Sequence, residues 1–486
     1  MRFLSLFFFV LFVTYSTASD ARLTSFAPVA ERVLPAVVNI STTQKVQTGG
    51  GFRFGAPGGV PGLEGERREE LEKFFERFGL PFAFPQQGTP APQREVQSLG
   101  SGFVIDPKGY VVTNNHVVAE ASEIVVIFSD DTKLDATLVG RDPKTDLALL
   151  KIDSPKPLDY VTFGDSDAMR VGDWVMAIGN PFGLGGTVTS GIISARSRNI
   201  NAGPFDDFLQ TDAAINRGNS GGPMFNLDGE VIGVNTAIFS PSGGNVGIGF
   251  AIPSALAKPI LDQLREYGRP HRGWLGVKIQ HVTEEIAESL GLNKAYGALV
   301  LELTPDSPAA NSGIESGDVI LSFNGKDIEE MRQLPRMVAE TPVGETVSVK
   351  ILRKGKRKSI RLKLGEFPEE EVVSVPQKKE PDTVSSKGET VLGMQLGTIN
   401  DAVRGKFRLD DKQQGVIIYS VEADSDAKAR ALDAGDIILG VNQDDINSVE
   451  EFKRTVSEAK EADRGYVLVR IKRGKSTSYI TLPIND

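Results

Sequence analysis

The string Gly218-Asn219-Ser220-Gly221-Gly222-Pro223 is the most informative in the chain. A serine can attack a carbonyl when a tight turn exposes its hydroxyl and backbone N–H groups face the developing oxyanion. Flanking glycines permit both. Gly218, Asn219 and Ser220 therefore form a candidate oxyanion hole, with the Gly218 and Ser220 N–H groups as its donors. Such a serine needs a base and a group that orients the base. His116, in Thr113-Asn114-Asn115-His116-Val117-Val118, is the only histidine in the first 270 residues. Asp146 stands just before the apolar run Leu147-Ala148-Leu149-Leu150. There a carboxylate can sit fixed behind an imidazole and hold its tautomer. Taken singly, these residues read more simply as a structural histidine, a turn aspartate and a turn serine. Their conjunction, in the chain order His–Asp–Ser on a strand-rich stretch, points to nucleophilic hydrolysis.

The elements that must position them are strands. Ala36–Ser41, Gly102–Ile105, Tyr110–Thr113, Ile124–Phe128, Asp135–Gly140, Leu147–Ile152, Trp174–Ile178, Thr187–Ser194, Val231–Thr236 and Ile248–Ile252 each suit a short strand between Gly-rich turns. Many short strands with few helices indicate an all-β barrel or sandwich. Pro253–Tyr267 reads as a helix with Leu256, Ile260, Leu261 and Leu264 on one face, stopped by Gly268 and Pro270. Residues 46–98 form a long insertion rich in Gly and Pro. Within it Leu71, Phe74, Phe75 and Phe78 fall at helical spacing over Glu66–Phe78. That stripe either caps the domain's own core or docks on a partner or on the active site.

Composition narrows the classes of function. The 486 residues contain no cysteine, which excludes disulfides, Cys-ligated zinc and a cysteine nucleophile. The histidines at 116, 271 and 281 lack metal-ligand spacing, so no metal and no cofactor is expected. With 54 Lys+Arg against 64 Asp+Glu, the formal charge of −10 argues against a nucleic-acid partner. Arg2, the apolar run Phe3–Val13 and the small residues Ser16-Thr17-Ala18 suit a secretory signal over residues 1–18. The apolar run is shorter than the roughly 20 residues that a membrane span needs. An uncleaved anchor is the competing reading of the same run.

The C-terminal half repeats itself. Gly297-Ala298-Leu299-Val300 recurs as Gly415-Val416-Ile417-Ile418, and Gly317-Asp318-Val319-Ile320 as Gly435-Asp436-Ile437-Ile438, both at an offset of 118. Leu275-Gly276 recurs as Leu392-Gly393 at 117, and Arg353-Lys354-Gly355 as Lys472-Arg473-Gly474 at 119. Two homologous domains follow, at 271–366 and 388–486, joined by a charged, Pro-broken linker at 367–387. Residues 19–268 are left for the domain that carries His116, Asp146 and Ser220.

These motifs resemble those of the HtrA serine proteases, the Do-like group of DegP and DegQ type. The resemblance rests on Asn115-His116-Val117, Thr145-Asp146-Leu147-Ala148-Leu149 and the Ser220 string, with Gly179–Gly183, Gln210–Ala214 and Gly247–Pro253 beside them. It implies a chymotrypsin-like protease of two six-stranded β-barrels followed by two α+β PDZ domains. It implies an ATP-independent endopeptidase of the periplasm that degrades misfolded or unfolded proteins, with His116, Asp146 and Ser220 as its triad. By the same resemblance Ala214, Ile215, Ala237 and Ile238 would line a small apolar P1 pocket. Trp274-Leu275-Gly276-Val277 and Val391-Leu392-Gly393-Met394 would hold the C-terminal carboxylates of peptides, which then add as a strand. Phe74, Phe75, Phe78 and Arg198 would regulate, and homotrimers and higher oligomers are expected. A chaperone or peptide-binding scaffold, with proteolysis secondary, is the alternative, and a narrow processing protease a further one.

Overall fold

In the computed structural model the described residues are 25–46, 94–180, 186–200, 203, 205–216, 218–238, 245–368, 388–407, 409–410, 413–474 and 476–484. The signal run, Phe74, Phe75 and Phe78, and nearly all of the linker lie outside them. The chain forms two compact units that part between Arg269 and Pro270.

The first unit is built from two closed six-stranded antiparallel barrels. The first barrel holds β1 (Val37–Val46), β2 (Arg94–Asp106), β3 (Tyr110–Thr113), β4 (Glu123–Ile127), β5 (Lys133–Asp142) and β6 (Leu147–Ile152), in the order β1-β2-β3-β6-β5-β4. The second holds β7 (Trp174–Gly179), β8 (Thr187–Arg198), β9 (Phe208–Thr211), β10 (Pro223–Phe225), β11 (Val231–Ile238) and β12 (Gly249–Pro253), in the order β10-β11-β12-β9-β8-β7.

Alternation explains why these strands read as nearly continuous apolar runs. Ala148, Leu150 and Ile152 fill the first barrel, while Leu147 and Leu149 face a core shared with the second. Val175 and Ala177 fill the second barrel, while Met176 and Ile178 face the same shared core. A strand buried on both faces has no polar side to show. The helix α1 (Ala27–Val33) also adds Ala30 and Val33 to the shared core.

Two strands escape the sequence pattern. β9 has four residues, and β10 has three and opens on Pro223, which a strand tolerates only at its start or edge. The insertion is also shorter than the sequence suggests, because β1 and β2 stay paired out to Val46↔Arg94. Residues 94–98 are therefore strand. A second short helix, α2 (Asn115–Val118), follows β3, and the C-terminal helix of the unit is α3 (Ser254–Tyr267). Ala257, Ile260, Leu261 and Leu264 of α3 enter the shared core, and Gly268 ends it in the left-handed conformation at φ +73°.

The second unit contains the two repeats. The sheet of the first runs Val277–His281, Ala298–Leu303, Val319–Phe323, Thr346–Arg353, Lys356–Lys363. That of the second runs Glu389–Val391, Met394–Thr398, Val416–Val421, Ile437–Val441, Tyr466–Arg473, Ser476–Pro483. Each covers its core with a helix, Gln333–Glu340 in the first and Val449–Glu461 in the second.

The repeat motifs are two halves of one contact. Arg353 grips Asp318 through Nε–Oδ1 at 2.7 Å and Nη2–Oδ2 at 2.6 Å. Arg473 grips Asp436 in the same way, at 2.6 and 2.5 Å. The offset of 119 matches Arg353 to Lys472, but the structural counterpart is Arg473.

Candidate active site

β3 delivers His116. The strand ends at Thr113, and Asn114 begins the single turn of α2 with an extended backbone at ψ 150°. Asp146 occupies the turn before β6 at φ +58°, a conformation that Asp accepts more readily than most residues. Four contacts hold it there. Its carbonyl accepts from the Asn115 N–H at 3.1 Å and from Asn114 Nδ2 at 2.8 Å. Its Oδ1 accepts from the His116 N–H at 2.9 Å, and its Oδ2 lies 2.7 Å from His116 Nδ1.

Thr236 Oγ1, from the other barrel, also donates to Asp146 Oδ2, at 2.7 Å. An ionised carboxylate only accepts, so Nδ1 carries the proton and Nε2 keeps the free lone pair. The imidazole is thus set to act as a base through Nε2.

The Ser220 turn is held as firmly. The Asn219 N–H donates to Asn216 O at 3.0 Å, the Gly221 N–H to Asn235 O at 2.8 Å and the Gly222 N–H to Asn219 O at 2.9 Å. Gly218 stands at φ +101° and Gly221 at φ +84°. A Cβ on Gly221 would lie 2.2 Å from Ser101 O, so only glycine fits. The Asn219 N–H is thus spent on Asn216, in keeping with Gly218 and Ser220 as the candidate N–H donors of this turn. The Ser220 hydroxyl donates to the carbonyl of Thr236 at 3.4 Å. Thr236 therefore meets the acid through its side chain and the serine through its backbone. Sequence reasoning missed it, because nothing local marks one threonine of β11 as a long-range partner.

The other expected site residues divide. Ala214, Ala237 and Ile238 are half-buried near this turn, and the Ala214 carbonyl accepts from Asn219 Nδ2 at 3.3 Å. Ile215 is 1 % exposed and packs in the second barrel's core, against Gly249. Arg198 is the last residue of β8, and its Nε donates to Gln210 Oε1 at 2.9 Å.

In the first repeat Trp274 pairs with Gly365, Leu275 is buried, and Gly276 at φ +79° backs against Ser307. Val277 opens the next strand. In the second, Val391 pairs with Met394 across Leu392 and Gly393, at φ +50° and +72°. Among the described residues no group of three or more His, Cys, Asp or Glu could hold a metal ion. Nor, among them, is any helix long and apolar enough to cross a membrane.

Two barrels with an Asp–His pair on one and a Gly-flanked serine on the other define a trypsin-like serine peptidase. Residues 100–234 match the trypsin-like peptidase domain family, and residues 273–364 and 391–484 match the PDZ domain family. The chain is 44% identical over 474 residues to a probable periplasmic serine endoprotease, DegP-like, of Brucella suis biovar 1 (strain 1330), covering 95% of this chain and 90% of the relative. It is 42% identical over 489 residues to the protein of that name from Pseudomonas fulva (strain 12-X), covering 100% and 98%. Among solved structures it resembles the HtrA-type protease AlgW with decapeptide, at 42% identity and a TM-score of 0.57, over 71% of this chain and 100% of the other. The chain belongs to the DegP-like, HtrA-type serine endoproteases. It is a serine endopeptidase with two PDZ domains.

Proposed function

We propose that Ser220 is the nucleophile of this endopeptidase, His116 its general base and acid, and Asp146 the group that orients the base. The observation that carries the reading is the fixed Asp146–His116 pair, at 2.7 Å, with Nε2 left as the basic nitrogen. The Ser220 hydroxyl rotates from Thr236 O toward Nε2 and attacks the scissile carbonyl while His116 takes its proton. The Gly218 and Ser220 N–H groups hold the oxyanion, a contribution worth about 10²–10³ in rate per donor. His116 then protonates the leaving amine. Water repeats the sequence on the acyl-enzyme and frees Ser220.

The substrates in this reading are unfolded or misfolded polypeptides. Ala214, with Ala237 and Ile238 beside it, offers no charge to a P1 side chain, which favours small aliphatic residues there. One methylene is worth only about 1–3 kcal/mol, so selectivity is broad. The PDZ domains add peptide capture by the C-terminal carboxylate. The relatives' names, the secretory run at 1–18 and the family resemblance support a periplasmic enzyme that assembles as trimers and larger oligomers. The test is casein turnover with sizing by chromatography, wild type against Ser220→Ala. The variant should lose cleavage entirely and keep its assembly and peptide affinity. Retained cleavage would remove the assignment.

A further inference from the structure

Ser101 is fully buried in β2, at the face of the first barrel that meets the serine turn. It makes four hydrogen bonds to three different segments, two of them to the serine turn. Its N–H donates to Ser220 O at 2.9 Å, and its hydroxyl donates to Gly218 O. The same hydroxyl accepts from the Asn180 N–H, at the end of β7, at 2.8 Å. Its carbonyl accepts from Thr113 Oγ1 at 2.7 Å. Thr113 closes the strand that leads to His116, and it pairs with Ala148, two residues beyond Asp146. One residue is thus bonded both to the strand that carries the base and to the turn that carries the nucleophile.

The surroundings are built for that contact. Asn39 Nδ2 donates to Gly100 O at 3.2 Å and to Asn180 O at 2.9 Å, bracing the segments on either side of Ser101. A Cβ on Gly179 would lie 2.7 Å from Asn219 Cα and 3.0 Å from Ser101 Oγ. A Cβ on Gly100 would lie 2.7 Å from Val117 Cγ1, in the helix of His116. The glycines at 100, 179 and 221 let three backbones close around one hydroxyl and one carbonyl.

We propose that Ser101 is a positioning residue for catalysis, setting the oxyanion turn of one barrel against the His116 strand of the other. Gly218 has no side chain to restrain its rotation, so its carbonyl is free to swing unless something holds it. The Ser101 hydroxyl holds it, and the Ser101 N–H holds the carbonyl of Ser220. Pinning these two carbonyls fixes the peptide planes on either side of the Asn219–Ser220 peptide, and the Asn219 carbonyl, which shares that plane with the candidate donor Ser220 N–H, is itself held by the Gly222 N–H at 2.9 Å. Substrate binding along the cleft does not depend on this contact. Stabilisation of the tetrahedral oxyanion does, because it needs both N–H groups aimed at one point.

The inference rests on Ser220 being the nucleophile, so the experiment includes Ser220→Ala. The full chain is assayed on a quenched fluorescent peptide that the wild type cleaves, and titrated with a peptide boronate, which forms a tetrahedral adduct on an active serine. Ser101→Ala should lower kcat by about 10- to 100-fold, with KM within about twofold of wild type. Boronate affinity should fall in proportion to kcat/KM. Thr113→Val keeps the shape of the strand and removes one bond to Ser101. It should show the same split at smaller size, and it carries the test if Ser101→Ala fails to fold. Wild-type kcat in the soluble variant, or a loss of kcat with boronate affinity untouched, overturns the proposal. An active Ser220→Ala enzyme overturns instead the nucleophile assignment beneath it.

Discussion

In the first PDZ repeat the strand Val277–His281 ends its sheet and, among the described residues, pairs on one side alone, with Ala298–Leu303. In the second, the equivalent strand Met394–Thr398 is flanked by Val416–Val421 and also by Glu389–Val391. The strings that precede these strands are of one kind, apolar-Leu-Gly-apolar. Their flanks decide the outcome. Trp274 pairs backwards with the domain's closing residues, where it lies against Gly365, and among the described residues no strand pairs with the outer edge of Val277–His281. Val391 instead folds onto Met394 across two residues of positive φ, the geometry of a two-residue hairpin turn. Lys453, on the helix Val449–Glu461, reaches Glu389 of the added strand at 2.5 Å. A peptide that adds as a strand needs an unpaired edge. The first repeat offers one, and the second fills it with its own chain.

The largest effect should come from what the repeats share. Asp318 and Asp436 are 1 % and 2 % exposed, and each takes two bonds from an arginine. Asp318→Asn takes the buried charge from a guanidinium whose side chain is only 12 % exposed and leaves it the more exposed Glu315, at 2.6 Å, whereas the side chain of Arg473 is 54 % exposed and can turn to water. Breaking a buried pair costs about 3–5 kcal/mol. Asp318→Asn should cost that much, and Asp436→Asn about 1–3 kcal/mol, nearer the cost of an unsatisfied polar group. Calorimetry of each full-length variant reads the difference. Equal losses would mean that the two frames are energetically alike despite their unequal exposure.

Next in size is the difference between the edges. A Cβ on Gly276 would lie 2.1 Å from Ser307 Cβ, and one on Gly393 2.2 Å from Ser425 Cβ, so alanine disturbs both loops equally. Fluorescence anisotropy of a labelled C-terminal peptide on Ser220→Ala protein then separates the repeats. Gly276→Ala should weaken binding about tenfold or more, a loss of at least ~1.4 kcal/mol. Gly393→Ala should leave the affinity unchanged. A loss in the second variant and none in the first would reverse the comparison.

Much of this molecule was readable before any coordinates, and the reason is periodicity. Leu147–Ile152 alternates between two cores, so its apolar run marks a strand, and the pattern recurs around both barrels. The Ser220 string, His116 and Asp146 stood out because few residue types can do that chemistry. What stayed hidden depends on contacts across long stretches of chain. Nothing in the neighbourhood of Thr236 or Ser101 announces a bond to Asp146 or Gly218. The burial of Ile215 is likewise set from afar, by Gly249 of β12, where a Cβ would lie 2.7 Å from its Cγ1. The repeat offsets found both halves of the Asp–Arg pair but missed its register by one residue, because Lys472 and Arg473 are both basic. The covered edge of the second repeat was invisible for the same kind of reason, since strand pairing is decided by what the flanks do.

The smallest expected effect concerns how the second repeat supports the first. Glu285, on the helix Glu284–Ser289 of the first repeat, accepts from Arg430 Nη2 at 2.7 Å, from Arg430 Nη1, and from Thr481 Oγ1 at 2.5 Å. Gln280 of the first repeat brackets the backbone of Tyr479, donating to its carbonyl at 2.8 Å and accepting from its N–H at 2.9 Å. Val282, Ile286 and Leu290 pack with Leu468 and Tyr479 in one apolar cluster. The Arg430 guanidinium, and after it the Thr481 hydroxyl, hold the Glu285 carboxyl at about 2, below its ordinary 4.5. A depressed carboxylate stabilises the joined state fully above its free value, and loses that contribution as pH falls from 4.5 toward 2. Glu285→Gln removes the titrating group. The melting temperature of the wild type should exceed that of Glu285→Gln at neutral pH, and the gap should close across that acid window. Glu285 is partly exposed, so solvent screening keeps the gap small. A gap that persists unchanged to the acid end would place the support in the apolar cluster around Tyr479 rather than in the ion pair. The second repeat would then brace the first by packing alone.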